Sequence, residues 1–275
     1  MISACLVIRN EEKLLPRCLD SIKDIADEII IVHDGECDDR SLEIAKKYNS
    51  QIFIQPLVGE AEYHRPFTFE KSRHPWILQI DADEYIDKND VKKIRELINA
   101  ENIDGYSFLW PYYTGVKYIK KGPFAQTYKP CLFRKEKMYM LGISHEYPRS
   151  YGVLEKRGDI ILYHMNNYIR YDEANFQTKW ITWAKIQAEQ IFNLEKAPTY
   201  NIKDLKSLSL YSYYHYIRNH PFLSGLVETI RFLLIYFFRG ILISNVTSYK
   251  IAYYEIRYLW QVRKYLNQLK HGQRI

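Results

Sequence analysis

The chain has 275 residues, 47% hydrophobic and 26% charged, with a formal net charge of +6 at pH 7. This composition excludes a disordered chain and suits one large domain, or one domain with an extension. The four scattered cysteines (Cys5, Cys18, Cys37 and Cys131) form no CxxC pair, which argues against structural zinc and a disulfide framework and favours a reducing cytosol. The N-terminus lacks the features of a signal peptide, and its apolar run reads as a strand.

Strand and helix patterns alternate over the first 100 residues. Strands are predicted at Ser3–Arg9, Glu28–Asp34, Gln51–Gln55 and Trp76–Ile80. A first helix is predicted after Asn10, which can act as its N-cap. Three more helices are predicted over residues 40–48, 60–72 and 88–100, and the one over residues 60–72 is expected to break near Pro66. This alternation predicts an α/β fold, in which a mostly parallel sheet is covered by helices on both faces.

The pattern changes in the second half of the chain. Strands are predicted at residues 105–113, 130–135 and 159–165 without regular helices between them. From about residue 171 the chain reads as helical to the end. We therefore predict a first domain over residues 1–170 and a helical extension over residues 171–275.

Polar and acidic residues follow three of the predicted strands. Ligands of parallel α/β sheets collect beyond the carboxyl ends of the strands. Any one cluster could simply cap a helix, but three clusters at one edge of the sheet predict a binding site. The clusters are Arg9-Asn10-Glu11, Asp34 with Asp38-Asp39, and Asp81-Ala82-Asp83-Glu84.

The spacing of Asp81 and Asp83 indicates a metal site. In an extended segment, residues two apart point to the same side, and the small Ala82 separates these two carboxylates. Three neighbouring carboxylates repel one another, so a positive charge is needed beside them. The pair of Asp81 and Asp83 suits Mg²⁺ or Mn²⁺, which would supply this charge when carried by a bound diphosphate. Because GxxxxGK[ST] and GxGxxG motifs are absent, a P-loop ATPase and a dinucleotide dehydrogenase are disfavoured.

Three motifs resemble the family 2 glycosyltransferases, which have a Rossmann-like GT-A fold. They are ACLVIRNEEKLLPRCLDSI, DEIIIVHDGECDDRSLEIAKKY and WILQIDADE, in that order. The resemblance covers roughly residues 1–170. It is strongest to small bacterial enzymes that add sugars to lipopolysaccharide core and related surface glycans.

The resemblance implies a site for a UDP-sugar donor. Arg9, Asn10 and Glu11 match the segment beside the base and ribose, and Asp34 matches the acid that hydrogen-bonds the uracil edge. Asp81 and Asp83 match the DxD pair, the first nearer the ribose and sugar and the second on the metal. Arg65 matches an arginine that reaches the donor, although its neighbours His64 and Pro66 depart from the pattern, as do His33 and Cys37 in HDGECDD.

The segment CLFRKEKMYMLGISHEYP implies the catalytic group. Glu146 matches the general base that takes the proton of the acceptor hydroxyl in an inverting displacement. The alternative is an ion pair of Glu146 with Arg149 or Arg134. His145 could orient Glu146 or contact the diphosphate. His164 could be a further metal or phosphate contact, or a purely structural side chain.

The C-terminal region suggests a surface for a membrane. Residues 221–244 are strongly apolar, and the charges of Glu228, Arg231 and Arg239 fall in one narrow arc of a helix. The apolar stretch between charges is too short for a span of ~20 residues. Residues 248–275 carry a net charge of +5 and many aromatic rings, which favours an anionic membrane surface. A soluble helical cap or a homo-oligomer interface is the alternative, and nucleic acid is disfavoured.

The sequence thus predicts an inverting glycosyltransferase that depends on Mg²⁺ or Mn²⁺ and uses a UDP-sugar. It is expected to be cytoplasmic, peripheral on the inner face of the cell membrane, with a glycan, lipid-linked or lipopolysaccharide-type acceptor. Two rivals remain: a nucleotidyltransferase, and a non-catalytic, membrane-associated module that binds a sugar nucleotide.

Overall fold

The computed structural model describes residues 1–113, 117–164, 171–244 and 246–275. They form two compact units. The first comprises Met1–Pro111, Thr127–Met165 and Pro198–Ile202, and the second comprises Tyr112–Gln126, Asn166–Ala197 and Lys203–Ile275. The domain boundary predicted at residue 170 lies outside the described residues, and each unit also includes a short segment from the other side of that position.

The first unit is built on a sheet of eight strands in the order β3-β2-β1-β4-β7-β6-β10-β5. The pairs β3-β2, β2-β1, β1-β4 and β6-β10 are parallel, and the other three pairs are antiparallel. The predicted α/β class with a mostly parallel, mixed sheet is therefore confirmed. The strands are β1 (Ile2–Ile8), β2 (Glu28–Asp34), β3 (Gln51–Gln55), β4 (Trp76–Gln79), β5 (Glu84–Ile86), β6 (Gly105–Leu109), β7 (Tyr128–Arg134) and β10 (Leu154–His164). A smaller sheet is formed by β8 (Met138–Leu141), β9 (Arg149–Ser150) and β11 (Thr199–Tyr200).

The register places three strand ends together. In the centre of the sheet, Cys5 of β1 is aligned with Ile30 of β2 on one side and with Gln79 of β4 on the other. All seven residues of β1 are buried, as expected for a strand covered on both faces. Because these strands are parallel, the segments that follow Ile8, Asp34 and Gln79 emerge at the same edge of the sheet.

Helices cover both faces of this sheet. Leu15, Leu19 and Ile22 of α1 pack with Ile94 of α4 in one buried cluster. On the other face, Phe69 of α3 packs in a second cluster that includes Met138 and Met140 of β8. The helices of this unit are α1 (Leu15–Ile22), α2 (Ser41–Lys46), α3 (Ala61–Lys71) and α4 (Val91–Leu97).

Helix α3 continues through Pro66, so the predicted break is wrong. A proline removes one backbone donor, here the one that would reach the carbonyl of Glu62. That carbonyl lies against Gly142, where an added Cβ would approach it to 3.0 Å. Pro66 therefore removes one backbone hydrogen bond near the start of α3. Packing of the buried side of the helix stabilises it by more than this bond would.

Asn10 does not cap the first helix, which is a second departure from the sequence-based expectation. Helix α1 begins at Leu15, with Pro16 in its first turn. Asn10 has a left-handed backbone with φ +53°, a conformation that asparagine tolerates better than most residues. Its side-chain Oδ1 instead accepts a hydrogen bond from the backbone N–H of Asp38 at 3.0 Å.

The second unit is helical, as expected for the C-terminal part. Buried side chains of Ile119, Phe124, Tyr236 and Ile251 form one of its hydrophobic clusters. Its α-helices are α5 (Glu173–Asn175), α6 (Ile181–Phe192), α7 (Ser209–Asn219), α8 (Pro221–Phe238) and α9 (Val246–Lys270), with a π-helical turn at Phe176–Trp180.

Helix α8 has its apolar side outward. By length and composition alone it could cross a membrane. Only 28% of its 18 residues are buried, so it is not a core helix. At about 100° per residue, its exposed apolar residues fill an arc of roughly 160° that contains no charged residue. This set, hereafter the α8 stripe, comprises Phe222, Leu223, Leu226, Val227, Ile230, Leu233, Leu234, Phe237 and Phe238.

Two of the basic residues of α9 are engaged within the second unit. Arg263 is buried and donates from Nη2 to Glu228 of α8 at 2.8 Å. Arg257 pairs with Glu173 and lies over the ring of Phe176, 4.0 Å from its centroid. Buried Arg263 therefore does not present its charge to an anionic surface, and Arg257 is engaged by an exposed carboxylate. For the exposed lysines of α9 the expectation stays a prediction.

Candidate active site

Hydrogen bonds join the segments that follow β1 and β2. The backbone N–H of Asn10 donates to Nε2 of His33 at 3.3 Å, and Nδ1 of His33 lies 2.9 Å from the carbonyl oxygen of Gly35. These two partners fix the neutral tautomer with the proton on Nδ1. His33, which departs from the family pattern, is fully buried and is explained by this structural role.

Asp39 also joins the segments that follow β1 and β2. Its carboxylate accepts from the backbone N–H of Glu12 at 3.0 Å and from that of Ser41 at 2.8 Å. Burial acts to raise the pKa of Asp39, but the hydrogen bonds from Ser41 and Glu12 lower it to about 2. Since the hydroxyl of Ser41 accepts from the N–H of Glu11 at 2.7 Å, the segment with Arg9, Asn10 and Glu11 is held against the second loop.

Asp34 lies at the end of β2 with only 3% of its surface exposed. Oδ1 accepts from the N–H of Val58 at 2.7 Å and lies 2.9 Å from Nε2 of His64, and Oδ2 accepts from the N–H of Gly59 at 2.7 Å. Burial acts to raise the pKa of Asp34, but His64 and the two amides outweigh it and lower the pKa. The carboxylate therefore stays ionised and fixes the loop before α3.

A cavity of about 610 Å³ opens beside Asp34. Arg9 and Asp34 line it from the ends of β1 and β2, and Pro56 and Leu57 line it from the loop after β3. It combines an apolar wall, an arginine and a buried carboxylate. This arrangement suits a flat polar ring with a hydrogen-bonding edge, and it brings together two of the residues singled out from the sequence.

The Asp81–Glu84 segment is a turn and not an extended strand. The backbone N–H of Glu84 donates to the carbonyl of Asp81 at 2.9 Å, and Glu84 then begins β5, where it is aligned with His164 of β10. The argument that alternation along a strand places Asp81 and Asp83 on one side is therefore wrong. The chain reverses here because β5 pairs with β10 and not with β4.

Two buried cations neutralise Asp81. Nη2 of Arg65 donates to Oδ1 at 2.8 Å and Nζ of Lys129 donates to Oδ2 at 2.6 Å, while the Gln79 amide also reaches Oδ1 at 3.0 Å. Burial acts to raise the pKa of Asp81, but Arg65 and Lys129 lower it well below its usual range. Arg65 and Lys129 therefore supply positive charge to both oxygens of Asp81, and a metal contact of Asp81 stays a prediction.

Lys129 and Glu84 complete this network, and sequence reasoning missed both roles. Glu84 is 1% exposed and accepts from Lys129 Nζ on both oxygens at 2.7 Å, from Trp110 Nε1 at 2.7 Å and from the N–H of Asp81 at 2.9 Å. The signal was present in the sequence, because Lys129 is a charged residue directly before the apolar run Pro130–Phe133 of β7. Its partners, however, lie 45 and 48 residues away.

Asp83 contacts His164, with 3.0 Å between Oδ2 and Nε2. The imidazole stacks on Trp110 at a centroid distance of 4.6 Å. Burial acts to lower the pKa of His164, but the charge of Asp83 outweighs it and the pKa is raised. Across the described residues, no group of three or more His, Cys, Asp or Glu side chains could hold a metal ion. The oxygen and nitrogen of this pair fit a divalent cation that takes its other ligands from water and substrate.

Glu146 lies in the turn that follows β8, next to His145, whose backbone is left-handed with φ +63°. Its Oε2 accepts from Nη2 of Arg149 at 3.2 Å, while Arg134 pairs with Asp104 instead. One of the two alternative ion pairs is therefore present. The turn begins beside α3, because an added Cβ at Gly142 would approach the carbonyl oxygen of Glu62 to 3.0 Å.

Comparison with known proteins decides the family. Residues 3–157, more than half of the chain, match Glycosyl transferase family 2. This chain belongs to that family. The family expected from the motifs is thereby confirmed, and with it the assignment to the glycosyltransferases.

Curated relatives match over a shorter region. An uncharacterized glycosyltransferase of Rickettsia bellii (strain RML369-C) is 33% identical over 105 residues, which cover 38% of this chain and 35% of the relative. The lipopolysaccharide core biosynthesis glycosyltransferase LpsC of Rhizobium meliloti (strain 1021) is 30% identical over 105 residues, covering 37% of this chain and 38% of the relative. The matched region thus spans just over a third of either relative.

Solved structures also resemble the chain. S. aureus TarS 1-349 in complex with UDP-GlcNAc has a TM-score of 0.47 and 13% identity, covering 99% of this chain and 92% of that chain. Mycobacterium tuberculosis glucosyl-3-phosphoglycerate synthase with Mn²⁺, UDP and glucosyl-3-phosphoglycerate has a TM-score of 0.45 and 13% identity, covering 70% and 78%. Likeness at this level identifies no ligand of the present chain.

Proposed function

We propose that this protein transfers a sugar from a UDP-sugar to a hydroxyl group with inversion at the anomeric carbon. The observation that carries the proposal is the convergence of Asp34, Asp81 and Asp83 at one edge of the parallel strands in a chain of this family. The cavity beside Asp34 lies at the same edge.

The donor would bind along this edge from the cavity towards the Asp81 turn. Arg9 and Asp34 line the cavity, and we assign it to the uracil ring, with Asn10 and Glu11 beside the ribose. Three donors occupy Asp34, and a carboxylate can accept about four, so one lone pair is left for the uracil N–H. Arg65 and Asp81 form the wall on the side of the sugar.

Asp83 and His164 are the residues that would hold Mg²⁺ or Mn²⁺. Two protein ligands are typical of an ion that shares its remaining coordination with substrate phosphates, and of the two ions the transition metal Mn²⁺ accepts an imidazole ligand more readily than Mg²⁺ does. When bound, the ion neutralises the charge that develops on the departing nucleoside diphosphate. We assign Asp81 to orienting the donor and not to the metal, because Arg65 and Lys129 engage both of its oxygens.

Glu146 is the proposed general base. Its carboxylate would take the proton from the acceptor hydroxyl while that oxygen forms a bond to the anomeric carbon and the bond to the diphosphate oxygen breaks. His145 precedes it on the left-handed turn and would orient it. The ion pair with Arg149 does not oppose this role, because Arg149 is 45% exposed and pairs of this kind are weak.

The acceptor is proposed to be a lipid-linked or lipopolysaccharide-type glycan at the cytoplasmic face of a membrane. The 30% identity to LpsC over part of the chain supports a surface-glycan acceptor. The exposed α8 stripe supports a location at a membrane, and a homo-oligomer interface is the competing use of that surface.

The test separates transfer from binding. UDP release from a panel of UDP-sugars is measured with and without glycan acceptors, for the wild type and for Glu146→Gln. We expect the variant to bind UDP normally and to lose roughly 10²–10⁴-fold in transfer rate, as for a missing general base. Arg149→Gln is the control and should stay near the wild-type rate. Wild-type rates in Glu146→Gln would exclude Glu146 as the base.

The same assay addresses the rival functions. UDP binding without acceptor-dependent release from any donor would favour a non-catalytic module. Release of pyrophosphate from a nucleoside triphosphate and a sugar phosphate would identify a nucleotidyltransferase instead.

A further inference from the structure

The orientation of α8 is fixed by polar contacts on its inward side. Glu228 accepts from Arg263 of α9 at 2.8 Å and from the hydroxyl of Tyr213 of α7. Gly225 lies against the ring of Trp260, where an added Cβ would approach ring carbons to 3.2 Å. Rotating the helix to bury its apolar side would break this ion pair and bury its charges unpaired, which is costly. The outward direction of the α8 stripe is therefore built into the second unit.

A groove runs along one edge of the α8 stripe. Its volume is about 490 Å³, and Val227, Ile230, Leu234 and Phe238 supply most of its lining. The charged lining comes from Arg231 of α8 and from Arg239, the residue that follows α8, and both are exposed. Within the part of the chain that the structure describes, neither arginine forms an ion pair. The groove thus offers an apolar channel beside two unpaired guanidinium groups.

These features match the chemistry of an anionic phospholipid. An acyl chain requires an apolar channel, and a lipid phosphate accepts hydrogen bonds from guanidinium groups at its edge. Long arginine side chains beside an apolar face can reach the headgroup layer while their stems stay among the acyl chains. The guanidinium groups can therefore reach the phosphate layer of a bilayer while the apolar side chains of the α8 stripe reach its hydrocarbon layer.

Two other uses of the surface fit less well. A protein interface carries roughly one hydrogen bond per 100–200 Å², and the α8 stripe contains no side chain that can form one. A membrane-spanning helix would place the Glu228 side of α8 in hydrocarbon, yet that side is covered by polar contacts from α7 and α9. An orientation in the plane of the membrane surface satisfies both sides of the helix.

We infer that α8 lies flat in the surface of an anionic bilayer, with its stripe among the acyl chains and Arg231 and Arg239 on lipid phosphates. This inference deepens the membrane location in the proposed function and names its site and its lipid class. It differs from the sequence-based expectation, which assigned the attraction to the basic residues of α9.

The test is co-sedimentation of the full chain with vesicles of phosphatidylcholine alone or of phosphatidylcholine with phosphatidylglycerol. We expect the wild type to bind both and to prefer the anionic vesicles. Leu233→Ser/Phe237→Ser should lose at least ~tenfold in binding to both, because apolar burial drives it. Arg231→Gln/Arg239→Gln should keep binding to neutral vesicles and lose the anionic preference, by about fivefold for each arginine at modest salt.

Lys250→Gln/Lys264→Gln is the matched control, since both lysines are exposed on α9. It should retain the anionic preference. If this control loses as much as the arginine variant, the attraction is diffuse and the groove assignment is wrong. If the wild type ignores both vesicles, the inference is wrong. If it forms a dimer that Leu233→Ser/Phe237→Ser dissociates, the surface binds protein and not lipid.

Calorimetry of UDP binding is run on every variant. Because the test measures vesicle binding, it does not depend on transfer. Vesicle binding without any transferase activity would overturn the proposed function alone. Sugar transfer from a UDP-sugar without vesicle binding would overturn this inference alone.

Discussion

Asp83 and His164 are the pair on which metal binding depends at the scale of single residues. The carboxylate and the imidazole face each other at 3.0 Å, and Asp83 raises the pKa of His164 although burial acts against it. A cation and a proton therefore compete for the same two side chains. Metal binding is expected to release that proton and to weaken as the pH falls.

Asp83→Asn tests this pair. Asparagine keeps the shape of the side chain and can still accept a hydrogen bond from His164, but it removes the charge that a cation needs. UDP binding to the wild type should strengthen with Mn²⁺ and weaken in EDTA, and the variant should bind equally in both, as measured by calorimetry. Asp87→Asn, an exposed acid in the same segment, is the control. Metal-independent UDP binding by the wild type would disprove the assignment.

Glu60 is a buried acid at the start of α3 that the proposed chemistry does not use. It is 8% exposed, and its Oε1 has no hydrogen-bond partner among the described residues. Burial raises the pKa of Glu60 well above its usual value, and the nearby charge of Glu62 raises it further. The folded protein thus keeps this proton at pH values where the unfolded chain has released it.

Glu60→Gln is expected to stabilise the protein at neutral pH. Above the unfolded glutamate pKa of about 4.3, folding of the wild type takes up a proton. Its stability therefore falls as the pH rises, by up to about 1.4 kcal/mol per pH unit until the folded pKa is reached. Urea unfolding of the variant and the wild type should agree near pH 4 and diverge above it. Glu70→Gln, exposed on the same helix, should show no such divergence.

At the scale of elements, Lys129 joins strand β7 to the Asp81–Glu84 turn. One buried ammonium group contacts two carboxylates, at 2.6 Å to Asp81 and 2.7 Å to Glu84. Removing one member of such a buried network typically costs about 3–5 kcal/mol, whereas replacing both members by neutral groups costs far less. The turn is therefore held by charge compensation as well as by its backbone hydrogen bond.

A double-variant cycle measures this compensation. Lys129→Met should destabilise the protein by about 3–5 kcal/mol in urea unfolding, and Lys129→Met/Glu84→Gln should recover a large part of that loss. The Mn²⁺ dependence of UDP binding should also weaken in Lys129→Met, because Asp83 lies in the same turn. Lys88→Met is the exposed control. Equal stability of Lys129→Met and the wild type would mean that the turn does not need the ammonium group.

The sequence predicted elements better than it predicted contacts. The parallel strands β1, β2, β3 and β4 were predictable because each is a short apolar or β-branched run followed by polar residues. The Asp81–Glu84 turn was not, because strand alternation assumes that a strand continues. One partner of His33 is 23 residues away, and the carboxylate partners of Lys129 are 45 and 48 residues away, so they are adjacent only in the folded sheet.

At the scale of the whole molecule, charge is distributed differently from the expectation based on local composition. The C-terminal residues carry most of the net positive charge, yet Arg257 and Arg263 are balanced by Glu173 and Glu228 from other helices. Arg231 of α8 and Arg239 directly after it form no ion pair among the described residues, although this region looked mainly apolar in the sequence. Net charge along the chain therefore did not identify which arginines are engaged by carboxylates of the same fold.

The outward direction of the α8 stripe also separates solubility from stability. Leu233 and Phe237 are more than half exposed in the folded chain, so folding removes less than half of their surface from water. Replacing them with serine forfeits less of the apolar burial that stabilises the fold than the same change at a core position would. At these positions the polypeptide carries large hydrophobic side chains that lower its solubility and add less to its stability than buried ones do. The fold alone places a weak demand on their hydrophobicity, so the main reason for it lies in the surroundings in which the protein works.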